Sequence, residues 1–228
     1  MLSNTNYIAW DFTNSLTSNY GQSETWALND GAVRTNLNGI ELLTTSDDAQ
    51  LACTNGGILT GWTYPFTVIA IFTAPSSTGA SVLRFFNRRS SGDAELIGGR
   101  YDSNASQPRP TIRHNTQSVG LSAFTNLAYA TEQRVVLEFR ANGGTIWVNN
   151  AQVGDNTAQS NSMPSLATTD SIWFGAADGS NINLNLHGAA FVNGTISSTD
   201  RSDIETNWRT ALGPATASAR FRPYFITG

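Results

Sequence analysis

The hydrophobic pattern alternates with period two over most of the chain. Ile8, Trp10 and Phe12 alternate with Ala9 and Asp11 in the segment YIAWDF, the signature of a half-buried opening strand. The run FTVIAIF at 66–72 places Phe66, Val68, Ala70 and Phe72 on one face and Ile69 and Ile71 on the other. Both faces are apolar, which predicts a central strand, and Pro65 precedes it where a missing donor costs little. Between Gln133 and Arg140 the alternation sends Val135, Leu137 and Phe139 inward and Arg134, Glu138 and Arg140 outward. Asn142-Gly143-Gly144 then supplies a tight turn, and Thr145–Val153 returns as one strand with Ile146 and Val148 inward. Weaker strands are predicted at 26–28 and 40–43, and further ones at 81–87, 94–101, 110–115, 172–175 and 186–192. Short strands at short intervals, separated by turn residues, are the layout of an antiparallel sandwich or barrel.

One helix breaks the pattern, at Asp200–Leu212. Ile204, Trp208 and Leu212 recur at i, i+4 and i+8, Ser198 or Thr199 stands ready to cap it, Asp200 and Asp203 lie in its first turn, and Gly213-Pro214 ends it. The remaining residues, 214–228, start small and polar and finish with Phe221, Tyr224, Phe225 and Ile226. An aromatic-rich end of this kind reads either as one more edge strand or as an arm that docks on a partner.

Composition narrows the class. Of the 228 residues, 39% are hydrophobic and only 13% charged. A sandwich of this length buries a core without disulfides, and the single Cys53 cannot form one internally. The formal net charge of −4 argues against a nucleic-acid partner, which calls for a basic face. All thirteen cationic side chains are Arg, as a coding bias or a selection for planar, stacking interface groups would produce. No apolar run approaches a membrane span, and no export signal is visible, so the sequence reads as a protein made in a reducing cytoplasm.

These strands resemble the concanavalin A-like and laminin G-like superfamily over 7–213. The resemblance lies in the opening Tyr7–Phe12 strand, the Phe66-Thr67-Val68 run, the Arg134–Phe139 and Ile146–Asn149 hairpin, Ile172–Gly175 and the Leu186-His187-Gly188 strand. Asn150 stands where that family usually has glycine. It implies an all-β fold: a two-sheet antiparallel jelly-roll sandwich with one short C-terminal helix, followed by a 214–228 tail. Such folds host lectins, adhesins, glucanases and viral shell proteins, so function has to be argued from sites.

A glucanase on this fold needs two carboxylates on one strand face. The closest pairs are Asp93/Glu95 and Asp203/Glu205, the latter two apart on a helix and so not facing each other. His114 and His187 lie in no metal-binding spacing, and neither a nucleophile elbow nor a phosphate loop is present. The sequence therefore reads as non-enzymatic. Calcium is the cofactor the resemblance implies, with Asp47, Asp48, Asp102 and Asp178 as candidate ligands in turns. Trp147 and Trp173 stand on faces opposite Ile146/Val148 and Ile172/Phe174, either displayed for stacking on a sugar or partner or covered as core. Trp62 and Tyr64 form a second aromatic rim, and Phe221, Tyr224 and Phe225 are candidate docking residues. Arg88, Arg89, Arg109 and Arg113 could meet a partner or simply be solvated. Asn104-Ala-Ser106 and Asn193-Gly-Thr195 fit the glycosylation pattern, which matters only on a secretory route.

The expectation is a virion surface protein of a bacteriophage, a capsid decoration or tail fibre, meeting other virion proteins, cell-surface glycans or further copies of itself. The alternatives are a carbohydrate-binding module of a secreted bacterial protein, or a glycoside hydrolase or polysaccharide lyase.

Overall fold

A computed structural model describes residues 1–3, 6–43, 47–51, 62–73, 82–89, 95–102, 109–114, 117–122, 130–141, 143–156, 171–175 and 184–213, of which 82–122 are described by their backbone alone, as are 50, 156, 171 and 173. Its strands are β1 (Tyr7–Asp11), β2 (Ala27–Asn29), β3 (Val33–Thr35), β4 (Gly39–Leu42), β5 (Asp48–Leu51), β6 (Phe66–Thr73), β7 (Val82–Arg89) and β8 (Glu95–Asp102). There follow β9 (Arg109–His114), β10 (Gln117–Ser122), β11 (Glu132–Arg140), β12 (Gly143–Val148), β13 (Ala151–Asn156), β14 (Ser171–Gly175) and β15 (Leu184–Val192), and then α1 (Ser198–Leu212).

The strands form two antiparallel sheets. One runs β13-β12-β11-β6-β15-β4-β3, with β1 also on β15; the other runs β10-β9-β8-β7-β14-β5-β2. β1 and β4 share one edge of β15 end to end: Tyr7–Asp11 pair with Val192–Gly188, and Ile40–Leu42 pair with Leu186–Leu184. Between them β15 bulges at His187, whose carbonyl accepts the Phe12 N–H at 2.9 Å. Gly39 takes φ +73 there, and a Cβ on it would lie 2.2 Å from the Leu186 oxygen, so only glycine lets β4 begin at that junction. The all-β sandwich read from the alternation is therefore the observed fold.

Two cores share the first sheet. Its inner face joins Ile8, Trp10, Phe12, Phe66, Val68, Phe72, Val135, Leu137, Phe139, Ile146 and Phe191 to Leu51, Ile172 and Phe174 of the opposite sheet. Trp10 meets Trp26 and Phe191 edge-on at 5.6 and 5.7 Å, a favoured aromatic geometry. Its indole N–H donates to the Glu24 carbonyl at 3.0 Å, so the buried polar group is satisfied. The outer face presents Tyr7, Ala9, Ile69, Ile71, Val136, Trp147, Ala190 and Val192, and α1 covers them with Ile204, Trp208, Ala211 and Leu212. Thus Ile69 and Ile71 do lie opposite Val68 and Phe72, as the alternation in β6 predicts.

The helix ends at Leu212 with Gly213 as its cap, as expected, and differs from expectation at its start and inside. Its cap is Ser197 rather than Ser198 or Thr199, in a capping box with Asp200. The Asp200 carboxylate accepts from the Ser3 N–H and hydroxyl at 2.7 and 2.6 Å and from the Ser197 N–H and hydroxyl at 2.9 and 2.8 Å, tying the chain start to the helix start. Asn207 breaks the helix (φ −158, ψ 86), and its side-chain oxygen accepts the Thr210 N–H at 3.2 Å, recapping the last turn. Gly213 ends α1 at φ −76 rather than in a left-handed conformation. Glycine is needed there because a Cβ would lie 2.6 Å from the Arg209 carbonyl. A second correction concerns the return strand. Asn149 and Asn150 both take positive φ (49 and 62), a two-residue turn of the kind that joins hairpin strands, and so split 145–153 into β12 and β13.

Trp208 carries the outer core. It is buried against Gly188, where a Cβ would come within 2.5 Å of its ring. Trp208→Ala is expected to cost about 3–5 kcal/mol in urea unfolding, the range for large aromatic truncations. Trp208→Phe should lose much less, because the indole N–H it removes has no acceptor among the described residues.

Candidate functional site

A cleft of about 50 Å³ opens at the start of β1, lined by Asn6, Tyr7, Ile8, Gln22 and Trp62. Each wall has a local cause. Tyr7 and Ile8 are fixed because β1 pairs with β15, and the Asn6 carbonyl accepts the Asn193 N–H at 2.9 Å. The loop after β1 folds back on it: Ala9 and Tyr20 form a bridge, and the Tyr7 and Tyr20 rings stack 4.0 Å apart. Gly21 makes this return possible. It takes φ +84, and a Cβ on it would lie 2.5 Å from the Tyr7 carbonyl oxygen. The next residue, Gln22, is thereby set at the cleft, its carbonyl also accepting from the Ser18 hydroxyl.

Trp62 closes the other side. It is partly exposed and packs on the inner core, its ring 6.5 Å from that of Phe66; Tyr64 is also partly exposed and lies 5.3 Å from the same ring. Phe66 in turn stacks on Phe139 at 4.7 Å, so the aromatic rim stands on the fully buried interior. An indole beside two exposed amide side chains can stack on an apolar ring face while donating and accepting hydrogen bonds at its edge.

The other expected site residues are placed differently. Trp147 is not displayed: it is 8% exposed, lies in the outer core under α1, and carries the Arg201 guanidinium 4.4 Å over its ring. The cause is that its side of β12 belongs to the sheet face that the helix covers. The backbone of Trp173 pairs with Gln50 and Asn87, while its side chain lies outside the described residues. Asp47 is buried and accepts the Leu43 N–H at 2.9 Å; Asp48 is buried and accepts from the Asn29 amide at 2.6 Å. A protein donor engages one oxygen of each carboxylate, and among the described residues no three acidic, His or Cys side chains group to hold a metal ion. Asp102 pairs through its backbone with Val82 and Arg109. The side chain of Asp102, together with Asp178, Phe221, Tyr224 and Phe225, lies outside the described residues. Asn6 and Gln22 escape the sequence reading; their one signal is Gly21, a glycine between polar residues just after a strand.

Ionised groups gather elsewhere, on the outer face of the first sheet. Arg134 bridges Glu132 at 2.8 Å and Glu205 of α1 at 3.3 Å, Arg140 bridges Glu138 at 2.8 Å and Asp155 at 3.3 Å, and Arg209 meets Asp11 at 3.4 Å. Burial opposes ionisation of Asp200, but the four hydrogen bonds from Ser3 and Ser197 outweigh it and hold its carboxyl below the usual value. His187 shares a 2.6 Å hydrogen bond with the Thr73 hydroxyl. Burial pushes its imidazole below the usual value, with Arg209 acting in the same direction and Glu132 opposing.

No protein-family model matches this chain, and no curated protein matches it. Solved structures share its fold. The Trypanosoma rangeli sialidase in complex with sialic acid superposes with a TM-score of 0.62 at 14% identity, covering 90% of this chain and 33% of that one. The binding domain of botulinum neurotoxin DC superposes with 0.66 at 10% identity in its complex with SialylT, covering 92% and 52%. In its complex with rat synaptotagmin II the figures are 0.65 and 9%, covering 87% and 50%. The chain thus spans about a third of the sialidase and half of the toxin binding domain. At these identities the likeness is one of fold, and the class it defines is the two-sheet antiparallel β-sandwich.

The His187 shift gives a signed prediction. An unfolded histidine titrates near pH 6.5, whereas the folded one titrates lower. On acidification through about 6.5 the unfolded chain therefore takes up more protons, and stability falls. The urea midpoint should drop between pH 7.5 and 5.5, and His187→Gln should flatten that part of the profile.

Proposed function

We propose that this chain is a non-catalytic surface-binding module that holds glycans at the Trp62 cleft. The observation that carries the reading is the partly exposed indole anchored on Phe66, lining a cleft together with the exposed residues Asn6 and Gln22. Sugars offer an apolar ring face and a hydroxyl edge, and this site offers a partner for each. A toxin binding domain of this fold in complex with SialylT supports glycan binding in general, at the level of analogy and without bearing on which sugar.

Of the five buried acids among the described residues, burial raises the Glu24 carboxyl above its usual value, while the roles of the other four support a binding rather than a hydrolytic role. Asp200 caps the helix, Glu138 pairs with Arg140, and Asp47 and Asp48 hold Leu43 and Asn29. None of these is left as the paired acid and nucleophile that glycoside hydrolysis uses.

The finer setting we propose is a virion surface; what supports it is the sequence resemblance to the concanavalin A-like superfamily, whose fold also hosts viral shell proteins. Genes for virion assembly beside this one are the expected finding. An export signal and a polysaccharide-degrading domain in the same reading frame would instead make it a carbohydrate-binding module.

A glycan array run with calcium and again with chelator tests the binding itself. Signal insensitive to chelator and reduced about tenfold or more by Trp62→Ala is expected, as for a central aromatic anchor. Product release from any polysaccharide would reverse the non-catalytic reading.

A further inference from the structure

Building on the glycan reading above, we infer that the cleft selects neutral sugars and rejects acidic ones. The cleft is lined by amides, apolar groups and an indole, with no charged side chain among its described residues. The sequence extends this beyond the lining. Charged residues make up 13% of the chain, yet none falls within 1–10, 12–23 or 49–83, the segments that supply every wall. The residues that interrupt the first two are Asp11 and Glu24, both acids.

A sugar carboxylate or sulfate leaving water needs a cation or a cluster of aimed donors, or it loses its hydration without return. Among the described residues three arginines lie on β3 and α1, and all are engaged; Arg209 of α1 meets Asp11 at 3.4 Å and lies over the Trp208 ring. Arg34 donates to the carbonyls of Phe12 and Thr13, about 20 Å along the strand from Asn6 at the usual rise per residue. Arg201 lies over the Trp147 ring and donates to the Ile196 carbonyl at 3.2 Å. Asn and Gln side chains, by contrast, both donate and accept, which matches the vicinal hydroxyls of an uncharged pyranose.

Size sets the second half of the inference. A buried water needs roughly 10–15 Å³ of such space, so a cleft of about 50 Å³ admits about three to five water-sized groups. That is one hydroxyl edge of a single sugar residue, with the ring lying across Trp62 and the rest of the glycan in solvent. A terminal residue is therefore read, at modest affinity.

The test uses the full chain and matched pairs on one array: neutral oligosaccharides, and the same oligosaccharides capped with sialic acid. Thermal melts accompany every variant to confirm folding. The expected result is binding to neutral members, at least tenfold weaker signal after capping, and loss with Trp62→Ala. Gln22→Arg should shift the preference toward the capped members, a gain that a merely structural role for Gln22 would not produce. Stronger binding to capped than to neutral members would overturn the inference while leaving glycan binding intact. Neutral binding untouched by both variants would move the site away from this cleft. Binding to no glycan at all would overturn the inference together with the reading beneath it.

Discussion

Everything in this fold depends on β6 and β15 being buried on both faces. A strand pair in that position must be apolar twice over, once toward the opposite sheet and once toward whatever covers its back. Phe66, Val68 and Phe72 serve the first role, and Ile69 and Ile71 the second. Left bare, the back of the sheet would expose an apolar patch of the kind that drives association. The helix removes it, and β15 accommodates the helix by carrying glycine at position 188, where the Trp208 ring has to sit. The Asp200 network then fixes the helix start to Ser3, a contact 197 residues apart in sequence.

That constraint also decides where recognition can occur. The helix uses up the aromatic face of the first sheet, so Trp147 becomes part of a core and its ring is closed to ligands. The arginines follow the same division: Arg134, Arg140, Arg201 and Arg209 are tied to acids or rings on the outer face or on α1. Partly exposed ion pairs contribute only about 0–1 kcal/mol each, so they align the helix on the sheet more than they stabilise it. The start of β1 lies outside this charged region, and what remains there is an edge of amides and one indole.

Much of the architecture was legible because period-two alternation reports burial directly. β6 and β11 could be assigned face by face, and Ile204, Trp208 and Leu212 marked the buried side of the helix before any neighbour was known. The failures came where a polar side chain replaces a backbone partner. Asn149-Asn150 reads as a continuation of a strand until both residues are seen at positive φ, which asparagine tolerates better than most. Ser197 competes with two other hydroxyl residues for one cap, and only the reach of Asp200 back to it decides. Asn207 interrupts a helix whose apolar spacing runs on unbroken. Trp147 shows the other limit: alternation places a ring on a face but cannot say what covers that face.

The cleft was half legible for a related reason. Trp62 and Tyr64 stand out as aromatics in a loop, but Gln22, which meets Trp62 across the cleft, comes from a loop forty residues earlier that alternation does not describe. Gly21 connects the two, because a backbone that touches Tyr7 and Ile8 cannot carry a Cβ. A site made this way inherits the rigidity of its supports. Its floor is a strand locked into β15, one wall stands on the Phe66–Phe139 stack, and the other wall is pressed down by a glycine contact. Little then has to be ordered when a ligand arrives. Preorganisation lowers the entropic cost of binding, and so lets a small contact area yield measurable affinity. In a fold whose two cores are occupied with holding three layers together, a shallow, stiff and uncharged rim is where recognition can be added without disturbing either core.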